Sequence, residues 1–378
     1  MPIRSEWSLA REGITGDTFT RLLKLTAFNP TLTIPLLLLA RYTQKGSLLA
    51  GEHATAHKAL KHLAGWGLAV AANAWLNDAV TNNWASDSYV WSREVVVVTG
   101  GSDGIGKIVV QLLAEKGIKV AVLDVQELTY EAPSSVRFFQ CDLTSPSAIA
   151  SAASSIRSTF GNPTILINNA GVARGKTILD SSEKDINLTF KVNTISHYHL
   201  TQQFLPSMIS ANHGMIVTIA SLASYLSAPS MVDYASSKAA ALSFHEGLAA
   251  ELVTHYHAPR VRTVLMCQGY TRTALFDGFD PRGVLFPETV AEEVVKAVLA
   301  GKSAHLTLPG NAWASVPRIR GLPLWIQYGL RKRLERLMRG WKGRQVLQPS
   351  EVVEGGTGGG VDVDEKKGGD GTVLVDGE

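Results

Sequence analysis

From Glu94 onward the apolar residues of this chain follow a strand-and-helix rhythm that the first 92 residues lack. The stretch EVVVVTGGSDGIGKIVVQLLAEKGIKVAVLDV predicts an apolar strand, a glycine-rich turn, a helix and a second strand. The helix should stop at Gly117, because glycine tolerates the positive φ of a C-cap. Further apolar runs at Val136–Cys141, Thr164–Ile167, Met215–Ala220 and Val261–Met266 read as strands separated by helical stretches, and His305–Leu308 would add a last one. Strands alternating with helices predict the α/β class, a doubly wound parallel sheet wrapped on both faces and occupying residues 93–310.

Residues 1–92 read as a hydrophobic helical extension. Two uncharged stretches of sixteen residues, Leu25–Ala40 and His62–Asn77, fall short of the roughly 20 residues that a helix needs to span a bilayer. Pro30 and Pro35 disfavour one uninterrupted helix through the first. Membrane-embedded or interfacial elements are one reading, and helices docked on the following domain are the other. Charges at Arg4, Glu6, Arg11, Glu12 and Asp17 interrupt the N-terminus and argue against a cleavable signal peptide.

Composition adds to this picture. Hydrophobic residues make up 45% and charged residues 18%, so a core is easily buried and apolar surface is left for lipid. The net charge of +3 hides an uneven distribution, with a basic segment and an acidic tail. Residues 311–345 predict a basic amphipathic helix. Between Leu324 and Arg344, Ile326, Leu330, Leu334, Leu337, Met338 and Trp341 recur at helical spacing, while Arg331, Lys332, Arg333, Arg336, Arg339, Lys342 and Arg344 supply the other sides. Such a helix suits the interface of an anionic membrane. Its apolar face could instead pack on the catalytic domain or on a second subunit of a homodimer. The tail, residues 346–378, is Gly-rich and acidic with no aromatic, which predicts disorder. Cys141 and Cys267 each close a predicted strand, as buried thiols in a reducing compartment do. No nucleic-acid partner and no metal-ligand set is read from the chain.

In TGGSDGIG, Gly100, Gly104 and Gly106 stand between a four-valine strand and a helix. A chain turning this sharply beside a ligand needs residues without Cβ, and the helix N-terminus then offers backbone N–H groups to a pyrophosphate. Eighteen residues after Gly106, at the tip of the second strand, stands Asp124. An acid there can accept hydrogen bonds from ribose hydroxyls and repels a 2′-phosphate. The expected cofactor is NAD(P)(H), with NAD(H) favoured.

The spacing T-G-x-x-x-G-x-G resembles the short-chain dehydrogenase/reductase family, whose fold is of the Rossmann type. The resemblance covers roughly Glu94 to Gly310. It extends to CDLT, with Asp142 and Leu143 at the adenine, and to NNAG, with Asn169, Ala170 and Gly171 beside the cofactor. KVNT supplies Asn193, and VTIASLASY supplies Ser221, thirteen residues before Tyr234 of YASSK. The resemblance implies a catalytic set of Asn193, Ser221, Tyr234 and Lys238. It implies a cofactor site formed by Gly100, Ser102, Asp103, Gly104, Ile105, Gly106, Asp124 and the residues above, with Gly269, Thr271 and Thr273 after the sixth strand. One departure stands in QGYTRT, where Gln268 replaces the family's proline, and a looser turn is expected there. The hydrophobic N-terminal extension resembles the membrane- or lipid-droplet-bound retinol and 17β-hydroxysteroid dehydrogenase branch, which implies an endoplasmic reticulum or lipid-droplet location with the catalytic domain on the cytosolic side.

The residue types suit hydride transfer between nicotinamide and a carbonyl carbon, which requires a proton to move to or from the oxygen. A phenol titrates near 10, too high for a base at neutral pH, and a nearby ammonium lowers that value. Residues i and i+4 of a helix are neighbours, so Lys238 can sit beside Tyr234. Ser221 can hold the substrate oxygen, and Asn193 would anchor a water that continues the relay from Lys238. Tyr225–Asp233 and Ala274–Phe286 would form walls and lid. Leu226, Met231, Leu275, Phe276, Phe279, Leu285 and Phe286 make them apolar, either as core packing of a lid or as the pocket of a lipophilic alcohol, ketone or aldehyde. The same chemistry could serve a secondary-metabolite pathway, and a non-catalytic dinucleotide-binding regulator is the rival of a different class.

Overall fold

The computed structural model describes residues 3–5, 8–278, 284–338, 340–346 and 372–373. It separates into two compact units, one of residues 7–85 and one holding the rest.

The smaller unit consists of four helices: α1 (Gly16–Leu25), α2 (Pro30–Tyr42), α3 (Gln44–Glu52) and α4 (Ala54–Thr81). Pro30 occupies the first turn of α2, where its missing N–H is not needed, and Asn29 caps the helix by accepting the Thr31 N–H at 3.0 Å. As expected, Leu25–Ala40 is not one uninterrupted helix, although α2 itself continues through Pro35. A proline there removes the ladder bond to residue i−4 and crowds that carbonyl, a cost that this helix bears. The break falls instead between Leu25 and Pro30, where α1 and α2 bend by 44°. Among the described residues no single helix is long and apolar enough to cross a membrane, although α1 and α2 together reach the length and composition. Leu36, Leu39, Trp66 and Trp75 are exposed.

The larger unit is built on β1 (Val95–Thr99), whose five residues are all buried. Side chains of a strand alternate between faces. Val96 and Val98 accordingly join one core cluster and Val97 the other. The chain then forms α5 (Gly104–Ala114), β2 (Lys119–Asp124), β3 (Val136–Gln140), α6 (Pro146–Phe160), β4 (Ile165–Asn168), α7 (Glu183–Phe190), α8 (Ser196–Ala211), β5 (Gly214–Ile219), α9 (Val232–Thr254), β6 (Val261–Gln268), α10 (Pro287–Ala300) and β7 (Ala304–Leu308). All seven strands are parallel, in the order β3-β2-β1-β4-β5-β6-β7. Residues of α5 and α10 fill the first core, and residues of α6, α8 and α9 fill the second. The order reverses between β1 and β4, the switch point outside which such sheets open a crevice.

The C-terminal segment is not one helix. α11 (Leu324–Arg333) ends, α12 (Glu335–Met338) adds a single turn, and residues 341–344 have no regular structure. Leu334, Met338 and Trp341, expected on the amphipathic face, join an apolar cluster with Ala173, Met231, Tyr234, Leu275 and Phe276. That cluster offers more apolar contact than a straight helix would have, and Gly340 and Gly343 let the chain approach it. A Cβ on either would fall under 3.0 Å from a carbonyl oxygen, of Gly278 and Leu275 respectively. Leu324, Trp325 and Tyr328 of α11 remain exposed. Leu337's side chain, Arg339, Phe279 and nearly all of the 346–378 tail lie outside the described residues.

Gly106 fixes how closely α5 crosses the end of β1. A Cβ there would fall under 3.0 Å from the Gly100 carbonyl oxygen, a backbone atom that no rotamer change can move. We expect Gly106→Ala to destabilise the fold by at least about 1–3 kcal/mol, the ordinary cost of overpacking. Thermal unfolding should show a loss of roughly 2–4 °C per kcal/mol. An unchanged melting temperature would contradict this crossing.

Candidate active site

A cavity of about 360 Å³ opens at the carboxyl ends of the strands. At one end Asp124, Val125 and Gln126 line it; Gly100, Asp103, Gly104 and Ile105 follow; Ser221, Tyr234 and Lys238 line it further along the chain. Leu143, Asn169, Ala170, Gly171, Gly269, Thr271 and Thr273 also contribute to its wall. Four residues expected in the site lie behind the wall. Ser102 is fully buried, donating its N–H to Asp124 at 3.0 Å and its hydroxyl to the Gln126 carbonyl at 2.7 Å. Gly106 is the helix crossing already described. Asp142 accepts the N–H and hydroxyl of Thr144 at 2.8 and 2.7 Å, so its carboxylate braces the turn before α6, and Leu143 reaches the cavity instead. Asn193 is wholly buried behind Val172.

Each polar group of the glycine turn has a defined partner. The Asn169 amide donates to the carbonyls of Thr99 and Gly100 at 2.9 and 3.1 Å, while the Thr99 hydroxyl accepts the N–H groups of Asn169 and Ala170, both at 3.0 Å. Asp103 caps α5 by accepting the Gly104 N–H at 2.7 Å. Gly100 and Gly104 have φ of +64° and +59°, the left-handed region where a side chain is strained. Burial pushes the Asp124 carboxyl above its ordinary pKa, opposed by the backbone N–H groups of Ser102 and Gln126 that it accepts. Each of its oxygens accepts one such bond and keeps lone-pair capacity for a ribose hydroxyl.

These residues fit a dinucleotide. The α5 N-terminus opens on the cavity through glycines at 100 and 104, the Asp124 carboxylate shares its wall, and Gly171 leaves a cradle. A Cβ on Gly171 would sit 3.5 Å from both Asn193 Oδ1 and Lys238 Nζ. The turn after β6 is pinned rather than loose, despite Gln268. Gly269 N–H donates to Leu308 O at 2.7 Å, Arg272 N–H to Leu285 O at 2.8 Å, and Leu285 N–H to Tyr270 O at 2.7 Å.

Tyr234 and Lys238 lie one turn apart on α9, both buried. Burial pushes the Tyr234 phenol up to about 12, with the Ser221 hydroxyl pulling the other way. Burial brings the Lys238 ammonium down to about 8. Burial thus outweighs the lowering expected from the neighbouring Lys238. Its Nζ donates to the Ile219 carbonyl at 2.8 Å and lies 5.9 Å from the centre of the Tyr234 ring. Ser221 itself donates to the Gln268 carbonyl at 3.3 Å. Asn193 stands in a π-helical turn, Lys191–Ile195, and gives both amide hydrogens away, to Val172 O at 2.9 Å and Ser237 Oγ at 3.0 Å. Its Oδ1 accepts the Val172 N–H at 2.8 Å, which leaves one lone pair for a water.

Leu226, Met231, Leu275 and Phe276 line the cavity as expected. Leu285 instead belongs to the sheet core, and Phe286 caps α10 under the Arg272 guanidinium. Sequence reasoning missed Val316, Leu334, Arg344 and Gln345, which also line the cavity. Of these only the helical spacing of Leu334 and the charge of Arg344 were visible, and neither says that a segment returns to a turn 241 positions earlier.

Residues 94–282 match the short chain dehydrogenase family. The chain is 47% identical over 199 residues to Dehydrogenase RED2 of Cochliobolus heterostrophus, covering 52% of this chain and 75% of that protein. It is 32% identical over 216 residues to human Estradiol 17-beta-dehydrogenase 11, covering 55% and 71%. Human Short-chain dehydrogenase/reductase 3 is 32% identical over 239 residues, covering 60% and 78%. Among solved structures, the ligand-free aldohexose dehydrogenase of Thermoplasma acidophilum shares the fold, with a TM-score of 0.50 and 22% identity over 57% of this chain and 92% of that one. The seven-stranded sheet, the glycine turn and the sequence matches agree: this chain belongs to the short-chain dehydrogenase/reductase family, as an NAD(P)-binding oxidoreductase that acts on CH–OH groups.

Proposed function

We propose that the protein interconverts a lipophilic alcohol with its ketone or aldehyde, favours NAD(H), and uses Tyr234 to move the proton. The observation that carries this reading is one cavity in which Ser221, Tyr234 and Lys238 share a wall with Leu222, Leu226, Met231, Leu275 and Phe276. A substrate in that space loses water on apolar sides and keeps one polar contact, at the reacting oxygen. The name of the human estradiol dehydrogenase relative points to the same class of substrate.

When bound, the nicotinamide supplies or accepts the hydride. The protein's part is the proton. A phenol that titrates near 12 is protonated at neutral pH, so Tyr234 is set to donate to a carbonyl oxygen as that oxygen gains charge. In the alcohol-oxidising direction the phenolate must form, and the Ser221 hydroxyl favours it. The proton then leaves through the space at Gly171 that Lys238 Nζ and Asn193 Oδ1 border. Asp124 favours NAD(H), because a buried carboxylate opposes a 2′-phosphate.

The test is a panel of lipophilic alcohols and ketones with both cofactors, followed by absorbance of the reduced nicotinamide. We expect a higher kcat/KM with NAD(H). Tyr234→Phe should keep the fold and cofactor binding and lower turnover by at least ~100-fold. Wild-type-like activity in the Phe variant sinks the catalytic assignment, and a clear NADP(H) preference refutes the charge argument.

We also propose that the protein sits on a membrane or lipid-droplet surface. The exposed Leu36, Leu39, Trp66 and Trp75 of the helical unit, with Leu324, Trp325 and Tyr328 of α11, support this reading. Two weak apolar anchors together hold better than one. Deleting residues 1–85 spares Tyr89, whose hydroxyl bonds Gly214 O at 2.7 Å. That deletion should weaken co-sedimentation with anionic vesicles, and adding Arg331→Glu and Arg333→Glu should weaken it further. Full-length protein that stays monodisperse without detergent and ignores such vesicles would contradict the reading.

A further inference from the structure

Asp103 is an acid in a turn that should receive a diphosphate. It caps α5 from within the cavity wall, and its carboxylate would repel an anion at that helix end unless a cation balances it. The balancing cation comes from far along the chain. Arg344 Nη2 bonds Asp103 Oδ2 at 2.6 Å, and Arg344 itself lines the cavity.

We propose that Arg344 is a cofactor-binding residue whose guanidinium clamps the diphosphate of the dinucleotide, together with the α5 N-terminus. This rests on the dinucleotide reading of the cavity and adds a residue from outside the sheet domain's own loops. An exposed ion pair alone would carry little weight. Here the position is built. Arg344 N–H donates to Ala274 O at 2.8 Å, and Lys342 N–H to Asp277 O at 2.9 Å. Trp341 Nε1 donates to Leu275 O at 3.0 Å, and Gln345 Nε2 to Ala173 O at 3.1 Å. Arg174 in turn donates to Gln345 Oε1 at 2.9 Å. The segment is therefore bonded on both sides of Arg344.

This anchoring places the guanidinium on the phosphate side of the cavity. Ala274 follows Thr273, whose Cγ2 lies 3.7 Å from the point where a Gly104 Cβ would be. Arg344 thus spans from the loop after β6 to the capping residue of α5, at the helix end where a diphosphate docks. Its guanidinium carries five N–H donors, and among the described residues it bonds Asp103 alone. The remaining donors can take two phosphate oxygens in the fork geometry that arginine offers and lysine does not. Asp103 then serves as the aiming partner of the arginine.

The test is fluorescence titration of the full-length protein with NADH and NADPH, and calorimetric titration with ADP-ribose and AMP. We expect Arg344→Ala to weaken NADH and ADP-ribose by at least about 10-fold, the scale of a lost charge-assisted hydrogen bond. AMP, which lacks the diphosphate, should change by less than about 3-fold on the same scale. Arg344→Lys should recover only part of the loss. Asp103→Asn keeps a good helix cap, and we expect Arg344→Ala in that background to stay weak. Full recovery there would mean that Arg344 only neutralises Asp103 and would overturn the clamp. A loss confined to NADPH would assign the guanidinium to the 2′-phosphate and would overturn it too. Wild-type protein that binds none of these ligands would instead defeat the dinucleotide reading itself. Arg344→Gln, with melting temperature recorded, provides a folded variant should the alanine variant fail to fold, and unchanged NADH affinity in it overturns the clamp.

Discussion

The side-chain amide of Asn169 holds the carbonyls of Thr99 and Gly100, and the Thr99 hydroxyl returns the tie by accepting the N–H groups of Asn169 and Ala170. This pair of exchanges locks the ends of two neighbouring strands at the switch point of the sheet. Gly106 packs against the same Gly100 carbonyl, so the N-terminus of α5 is set from the same place. Gly171, two residues beyond Asn169, is set with it, and so is the space between Asn193 and Lys238. The phosphate end and the proton-transfer end of the cavity are therefore referred to one small hydrogen-bonded knot.

Burial sets the chemistry around that knot. It raises the Tyr234 phenol to about 12 and lowers the Lys238 ammonium to about 8, moving both toward their neutral forms. The same burial makes each remaining charge more effective, because interactions strengthen where water is excluded. Tyr234 edges against Phe276 with ring centres 5.6 Å apart, and the wall continues into Leu334, Met338 and Trp341 of the C-terminal segment. The apolar wall and the shifted phenol are thus one arrangement. A more polar pocket would restore an ordinary phenol and lose its grip on a lipophilic substrate.

The sheet was legible because each strand is a short apolar run bounded by turn residues, and a parallel sheet buries such runs on both faces. Gly100, Gly104, Asp124, Ser221, Tyr234 and Lys238 were legible because their spacing is local or follows the order of the strands. Asp142 and Ser102 were placed in the site from motif position, yet their side chains brace turns, a distinction that depends on where a carboxylate or hydroxyl points. The C-terminal segment was misread for a different reason. Helical spacing of Leu334, Met338 and Trp341 is equally a packing stripe, and the regular helix ends at Met338. The break in Leu25–Ala40 falls ahead of Pro30, which starts α2, while the helix continues through Pro35.

The central claim is that a buried Tyr234, governed by its surroundings, is the proton donor and acceptor of this site. Its ionisation can be followed by carbon NMR of tyrosine labelled at Cζ, with Tyr234→Phe identifying the signal. The account predicts that the free protein keeps this phenol protonated past about pH 11, beyond the ordinary value near 10. It also predicts that the pKa falls when NAD+ binds, because a positive charge arriving beside a buried phenol favours the phenolate. A signal that titrates near 10 and ignores NAD+ would contradict the account.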